Sequence, residues 1–521
     1  MMGTNPIIGA DFPDPDVIRV GGTYYMASTT MHMMPGCVIL RSYDLLHWEV
    51  ATYVFDSLDD TPAQRLEDGK NIYGKGMWAA SLRYHGGKFY VCFIANDTRK
   101  TYLYQSEKIE GPWKKQNIEG FYYDNSLLFD DDGRVYIVYG NTEIHLTELK
   151  PDLTGPKPGG LNRVIVRDGG KISLGYEGSH FYKINGKYYV FFIHWPATGL
   201  RRRTEACFVS DSLEGEFVGK DILNDDIGFH NQGVAQGGLI DTPEGKWYAM
   251  LFQDHGAVGR IPVLVPVSWV NGFPIFGIDG KVPKQIETVS IQPDYRYAPL
   301  FDSDDFGYRK DVSGKIRLKD CWQWNHTPDY AFGSVTEKPG HYRIRTNRIC
   351  GDVCQALNTL TQRMVLPSCE AVVTLDGSGM KDGDVAGLCL LQGCYGFIAL
   401  KKENGKFYLA MTSKEPNDGP STVPVNEPGV EKARIPVDNP RVRLKVYGNF
   451  DDMADESEFF YENGGKWEKL GMTHKLSYRL DHFMGCRCGL FCYSTKSAGG
   501  TADFSKFRFL CPAQPMAQPA E

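Results

Sequence analysis

The stretch Tyr176-Glu177-Gly178-Ser179-His180, running on through Phe181 and Tyr182 into Lys183-Ile184-Asn185-Gly186-Lys187-Tyr188-Tyr189-Val190-Phe191-Phe192, decides the fold. A carboxylate precedes a short apolar run, a turn glycine follows nine residues after it, and an aromatic strand comes next. The glycine-plus-aromatic-strand half recurs as GGTYYMAST around Gly22, GGKFYVCFI around Gly87, DDGRVYIVY around Gly133 and PEGKWYAML around Gly245. Each unit reads as a strand, a Gly/Asp/Asn turn, an alternating aromatic strand and one or two strands more. Units of four short strands at periods of 46 to 65 residues indicate a propeller, and five units indicate five blades. A run of unrelated hairpins in a sandwich would not predict a shared register, and a shared register is present.

Nine residues before each turn glycine, or eight in the first unit, stand Asp14, Trp78, Asp124, Glu177 and Gln236. All five precede the apolar run expected to form the innermost strand of a blade. The starts of such strands converge on one mouth of a propeller's channel, so three carboxylates, a tryptophan and a glutamine are expected to face one cavity.

Bulk properties narrow the class. The 521 residues exceed one ordinary core and imply two or three domains. A net charge of −7 with interspersed signs points to neither a nucleic-acid partner nor a membrane surface. The 13 cysteines are odd in number and lie mostly in apolar runs, which reads as buried thiols rather than bridges or a zinc site. The start MMGTNPIIGADFPDPD has no charged-then-apolar leader; the expected location is the cytoplasm, or the periplasm if a leader has been trimmed.

Like charges disfavour one another's ionisation, so three carboxylates at one mouth call for a chemical reason. A carboxylate pair across a sugar-sized gap hydrolyses glycosides: an acid protonates the leaving oxygen while a base activates water from the other side. A third carboxylate beside the acid keeps its pKa high by repulsion. Trp78 offers an apolar wall to a sugar face, and Gln236 can donate and accept hydrogen bonds. A structural explanation competes at each position. Asp14 lies in Asp-Phe-Pro-Asp-Pro-Asp and Asp124 in Asp-Asn-Ser, both turn-forming contexts, whereas Asp130-Asp131-Asp132-Gly133 reads as a solvated hairpin without calcium-loop spacing.

The segments NPIIGADFPDPDVIRVGGT (5–23), YDNSLLFDDDGRVYIVYG and YEGSHFYKINGKYYVFF resemble the three signature segments of family 43 glycoside hydrolases. That resemblance covers about residues 5–285 and implies a five-bladed propeller acting with inversion. Carried over residue by residue, it places the general base on Asp14, the acid-tuning and orienting aspartate on Asp124 and the general acid on Glu177. The segment FQDHGAVGRIPVLVPVSW resembles the fifth-blade stretch that supplies a substrate-contacting arginine, here Arg260, with His255 nearby. Asn125, Trp195, His32 and Met34 are further candidates for the pocket or its rim. Many family members carry a histidine, often linked to a channel calcium, where this chain has Gln236. A structural calcium is left open by the resemblance and opposed by that glutamine, and no cofactor or catalytic metal is expected.

Residues 286–305 read as a linker along the propeller, and 306–521 as an antiparallel sandwich on the strength of alternating runs such as RVRLKVYGNF and CYGFIALKKENGKFYLAM. This half resembles the concanavalin-like jelly roll of the xylosidase and arabinofuranosidase branch of the family. Trp322 and Trp324 are read as core residues ahead of a sugar platform. The chain is thus expected to be all-β, a catalytic propeller over 1–285 followed by a sandwich. The expected activity is exo-acting release of terminal α-L-arabinofuranosyl units from hemicellulose oligosaccharides, with β-xylosidase activity as alternative or companion. A non-catalytic carbohydrate-binding propeller is the rival from another class.

Overall fold

A computed structural model describes residues 1–169, 174–310, 316–416 and 427–512. Five four-stranded antiparallel sheets follow one another along the first half. Their first strands, Asp16–Val20, Met77–His85, Ser126–Phe129, Glu177–Ile184 and Ala235–Asp241, are mutual neighbours around the channel axis. Each turn glycine of the repeat joins a first strand to its aromatic second strand, as at Gly186 between Ile184 and Lys187 (φ 81°). The propeller is therefore the one the repeat predicts.

The inner ring is tied by a polar hub. Arg83 of the second blade pairs with Asp16 of the first at 2.7 Å. It also donates to Leu127 O and to Ser126 Oγ of the third blade at 2.7 and 2.6 Å. His180 Nδ1 of the fourth blade meets the other Asp16 oxygen at 3.1 Å. Burial would push the Asp16 carboxyl up, but Arg83 and His180 outweigh it and hold it below the ordinary aspartate value. The fifth blade reaches this hub through Gly238, where a Cβ would lie 2.9 Å from Asp16 Oδ1 and from Val17 N.

Closure of the ring uses no exchanged strand. Met2–Thr4 pairs with Gln285–Glu287. The Asn5 amide clamps the fifth blade, donating to Leu264 O (2.8 Å) and Pro283 O (2.9 Å) and accepting from Leu264 N (3.0 Å). The propeller's pairing thus runs to Glu287, and the chain beyond it follows the first blade, with Ile291 N bonded to Tyr43 O and Ala298 N to Glu49 Oε2.

The second half forms two packed antiparallel sheets, supplying among the described residues eight strands to one and seven to the other, whose eighth is the propeller's Met33–Met34. One of them ends on the propeller: Gln323–Asn325 pairs with Met33–Met34, with Trp324 opposite Met34. A single buried apolar cluster runs through Phe12, Trp48, Val258 and Ile261 of the propeller and Trp322, Leu388, Leu444 and Phe504 of the sandwich. Trp322 is buried with its indole N–H on Asp304 Oδ2 at 2.8 Å, the core role expected of it. None of the 13 cysteines is disulfide-bonded among the described residues, and 12 of them are buried, which agrees with the reading of them as small core residues.

Candidate active site

The register positions gather at one end of the channel, and the backbone there is unusual. Asp14 (φ 51°) and Asp124 (φ 46°) are left-handed, two residues ahead of their strands. In the second, fourth and fifth blades the first strand carries a register shift at the equivalent place, between Met77 and Ala80, Glu177 and His180, and Ala235 and Gly238. Bulges and left-handed aspartates re-aim side chains out of the pleat, here toward the mouth. In the fourth blade Gly178 takes that conformation (φ 65°), and a Cβ on it would lie 2.6 Å from the Gln236 side chain.

Asp14 is buried and held from two sides: Thr29 Oγ1 donates to Oδ2 and Arg260 Nη1 to Oδ1, each at 2.7 Å. Arg260 is 3% exposed, yet its Nε and Nη2 have no partner among the described residues. Two buried guanidinium nitrogens without acceptors are costly unless a ligand supplies oxygens. Asp124 is likewise buried. Its Oδ2 accepts Gly178 N at 3.2 Å and its carbonyl accepts Ser179 N at 3.3 Å, so it grips the backbone on the C-terminal side of Glu177. Burial, then the charges of Glu177 and Asp14, push the Asp124 carboxyl well up. Burial also raises the Glu177 carboxyl, with Asp14 adding to the effect and Tyr123, Arg203 and Asn141 opposing it. Both carboxyls therefore hold their protons to a higher pH than isolated ones do.

Trp78 lines the mouth between Tyr123 of the third blade and Phe483 of the sandwich, with ring centroids 5.8 and 5.4 Å away. Phe483 also lies under the Arg260 guanidinium, 4.7 Å from its carbon. The loop carrying Phe483 is fastened by Asp11, whose two oxygens accept Arg260 N (2.8 Å) and Gly485 N (2.9 Å). One carboxylate thus fixes both the arginine turn and the sandwich loop.

Other candidates stand further back. His255 stacks on Phe229 at 4.1 Å and bonds Gln253 Oε1 at 2.9 Å; burial pulls its pKa down to about 4, so it is neutral. Asn125 is buried with Nδ2 on Tyr122 O, and its Oδ1 has no partner among the described residues. Gln236 packs against Gly178, and its N–H donates to the buried Glu205 at 2.7 Å. Trp195 follows the strand that pairs with Glu177 and donates its backbone N–H to Leu174 O.

Two assignments are corrected. Met34 is in the apolar interior of the first two blades and paired to Trp324, not on a rim. His32 is fully buried among Tyr73, His326 and His482 in the seam between the domains. Met31 and Met33, with Met484, pack beneath Trp78 instead. Asp11, Thr29, Tyr123, Asn141 and Phe483 were not singled out from the sequence. Tyr123 adjoins Asp124, but nothing in the local pattern marks the others. No group of three or more metal-ligating side chains converges among the described residues, and the Arg83 guanidinium bonds to the inner strands of the first, third and fourth blades.

Paired buried carboxylates at the mouth of a five-bladed propeller, beside an arginine with unpartnered donors, form the candidate active site. The model of "Glycosyl hydrolases family 43" matches residues 3–274, and that of the "Beta xylosidase C-terminal Concanavalin A-like domain" matches 314–510. The chain belongs to glycoside hydrolase family 43. It is 28% identical to a β-xylosidase of Formosa agariphila over 97% of this chain and 90% of that one. It is also 28% identical to a non-reducing-end α-L-arabinofuranosidase of Bacteroides ovatus over 66% of this chain and 65% of that one. Among solved structures, a bifunctional GH43-CE protein of Bacteroides eggerthii superposes with TM-score 0.89 at 43% identity over 98% of this chain. This chain spans only 63% of that protein.

Proposed function

We propose that this enzyme is an inverting, exo-acting pentosidase of hemicellulose that removes terminal α-L-arabinofuranosyl units from arabinoxylan, arabinosylated xyloglucan or their oligosaccharides. The observation that carries the reading is the mouth itself: Asp14 and Asp124 buried and Glu177 half-buried around one space, Arg260 offering two free donors, and Phe483 reaching across from the sandwich to Trp78. A mouth walled on that side favours a chain end over a chain interior.

In this mechanism Arg260 and Thr29 hold Asp14 as the base that takes a proton from water. The water oxygen adds to the anomeric carbon as the glycosidic bond breaks. The bond's electron pair passes to the leaving oxygen, which receives the proton of Glu177. Asp124 contributes negative charge beside Glu177 and fixes the backbone after it. The products are a sugar of inverted anomeric configuration, an ionised Glu177 and a protonated Asp14, and exchange with solvent restores both.

A second reading, β-1,4-xylosidase action on xylo-oligosaccharides, is supported as strongly by the relatives, since several are named β-xylosidases or xylosidase/arabinosidases. A family 43 enzyme engineered at its active site, 28% identical over 98% of this chain with TM-score 0.85, displays both endo-xylanase and exo-arabinofuranosidase activity. NMR of the products from arabinosyl and xylosyl oligosaccharides tests both readings. Free arabinose or xylose of inverted anomeric form is expected as first product, and a retained anomer or internal cleavage would overturn the mechanism. Glu177→Gln and Asp14→Asn should each lower turnover of unactivated glycosides by roughly 10²–10⁴-fold.

A further inference from the structure

The two oxygens of Glu177 are not equivalent. Oε2 accepts the Tyr123 hydroxyl at 3.2 Å and the Asn141 side-chain amide. Among the described residues, none donates to Oε1. The Asn141 amide has its orientation set from behind, because its Oδ1 accepts the Thr142 hydroxyl at 2.9 Å, which leaves Nδ2 for Glu177.

Thr142 carries a second, independent observation. It is β-branched yet left-handed, at φ 67°, a conformation such residues rarely take. Three contacts hold it there. Its N–H donates to Tyr176 O at 2.9 Å, and its carbonyl accepts Asp168 N at 2.9 Å. Gly175 faces its hydroxyl so closely that a Cβ would lie 2.4 Å away. Tyr176 is the residue before Glu177, so the strained turn latches the third blade onto the chain that carries the acid. Strain kept at such a place by surrounding contacts marks a constrained geometry.

We propose that Tyr123 and Asn141, the latter locked by Thr142, are positioning residues that hold Glu177 by Oε2 and leave Oε1 to carry and deliver the proton. The inference rests on Glu177 being the general acid. Two donors aimed at Oε2 disfavour a proton there, and the proton of the neutral acid resides on Oε1. In the step, that proton passes from Oε1 to the glycosidic oxygen as the carbon–oxygen bond breaks and its electron pair moves onto the leaving oxygen. The charge left on the carboxylate meets the same two donors, whose bonds strengthen as it develops. Asp124 therefore acts by charge and on the backbone, while orientation of the side chain falls to the third blade's Tyr123 and Asn141.

The test compares aryl glycosides of the preferred pentose bearing a dinitrophenyl leaving group, which departs without protonation, and a methoxyphenyl group, which needs it. Glu177→Ala should depress the methoxyphenyl-to-dinitrophenyl ratio of kcat strongly; if it does not, the acid assignment fails and this inference with it. Given that result, Tyr123→Phe and Asn141→Ala should each lower the same ratio about tenfold or more, with little change in KM. The alkaline limb of kcat/KM should move to higher pH, because donors to the ionised carboxyl are lost. Adding Tyr123→Phe to Glu177→Ala should leave the ratio where Glu177→Ala alone put it. Parallel losses on both substrates, or an unshifted limb, would overturn the positioning role while leaving Glu177 as the acid.

Discussion

Phe483 of the sandwich lies against Trp78 of the second blade, ring centroids 5.4 Å apart and planes inclined at 58°. The two are 405 positions apart in the chain, and their contact builds one wall of the candidate site from both domains. Removing the ring by Phe483→Ala is expected to lower kcat/KM on short exo-substrates by about 1–3 kcal/mol. The same change should relax the preference for chain ends, which product profiles on branched and linear oligosaccharides will show. A variant with unchanged profile and unchanged kcat/KM would remove Phe483 from the pocket.

Arg260→Lys keeps a positive charge near Asp14 but not the planar fork with its two free donors. The expected loss is about 2–4 kcal/mol in kcat/KM, one or two charge-assisted hydrogen bonds. Steady-state kinetics checks this, with circular dichroism to show that the fold is kept.

Asp11→Ala leaves the N–H groups of Arg260 and Gly485 buried without acceptors. Each orphaned donor costs about 1–3 kcal/mol. Thermal unfolding should therefore shift down, and because the two donors anchor Arg260 and the Phe483 loop, kcat/KM should fall beyond what the unfolded fraction explains.

Arg83→Met leaves the Asp16 carboxylate buried in the channel with only His180 and the Leu82 N–H as partners. Loss of one member of a buried ion pair costs roughly 3–5 kcal/mol. Urea unfolding of the variant should show a lower midpoint. An undiminished midpoint would mean that the hub does not hold the blades together.

His32, His326 and His482 share the domain seam, and burial lowers the pKa of each, His482 to about 4. Arg487 beside His32, Arg348 beside His326 and Lys414 beside His482 push the same way, and only Asp481 opposes them, at His482. The fold accepts these rings neutral, so below about 6.5 the unfolded chain binds more protons. Their contribution is fully present above that pH and is lost as the pH falls toward 4, on the order of 2–3 kcal/mol for His482 at the lower end. Melting temperature against pH should drop across that window, and His482→Gln should flatten the slope.

The five blades, and the placing of Asp14, Trp78, Asp124, Glu177 and Gln236, were legible because a propeller repeats one local rule. A glycine turn fixes the strand pairing, and the pairing fixes which residue begins each inner strand. Asn141 and Phe483 follow no such rule. Asn141 is the last residue of the aromatic strand Val135–Asn141 and meets Glu177 only through blade-to-blade packing. Phe483 arrives from another domain, and no periodicity within either domain encodes how they dock. The same limit misplaced His32 and Met34. Proximity to the first aromatic strand suggested the rim, whereas an edge pairing with Gln323–Asn325 draws them into the seam.

That edge pairing makes the sandwich's last strand a piece of the propeller, Met33–Met34. A propeller cut free at residue 300 would bare two backbone rungs, strip the roof from its own catalytic cleft and split a shared core. Exchanging the sandwich for a relative's, with the seam residues matched, would instead remodel how deep a sugar chain can enter while leaving all three carboxylates untouched. In the proposed enzyme, depth and chemistry would thus be inherited from different parts of the polypeptide, and substrate range could drift without any change at the reacting atoms.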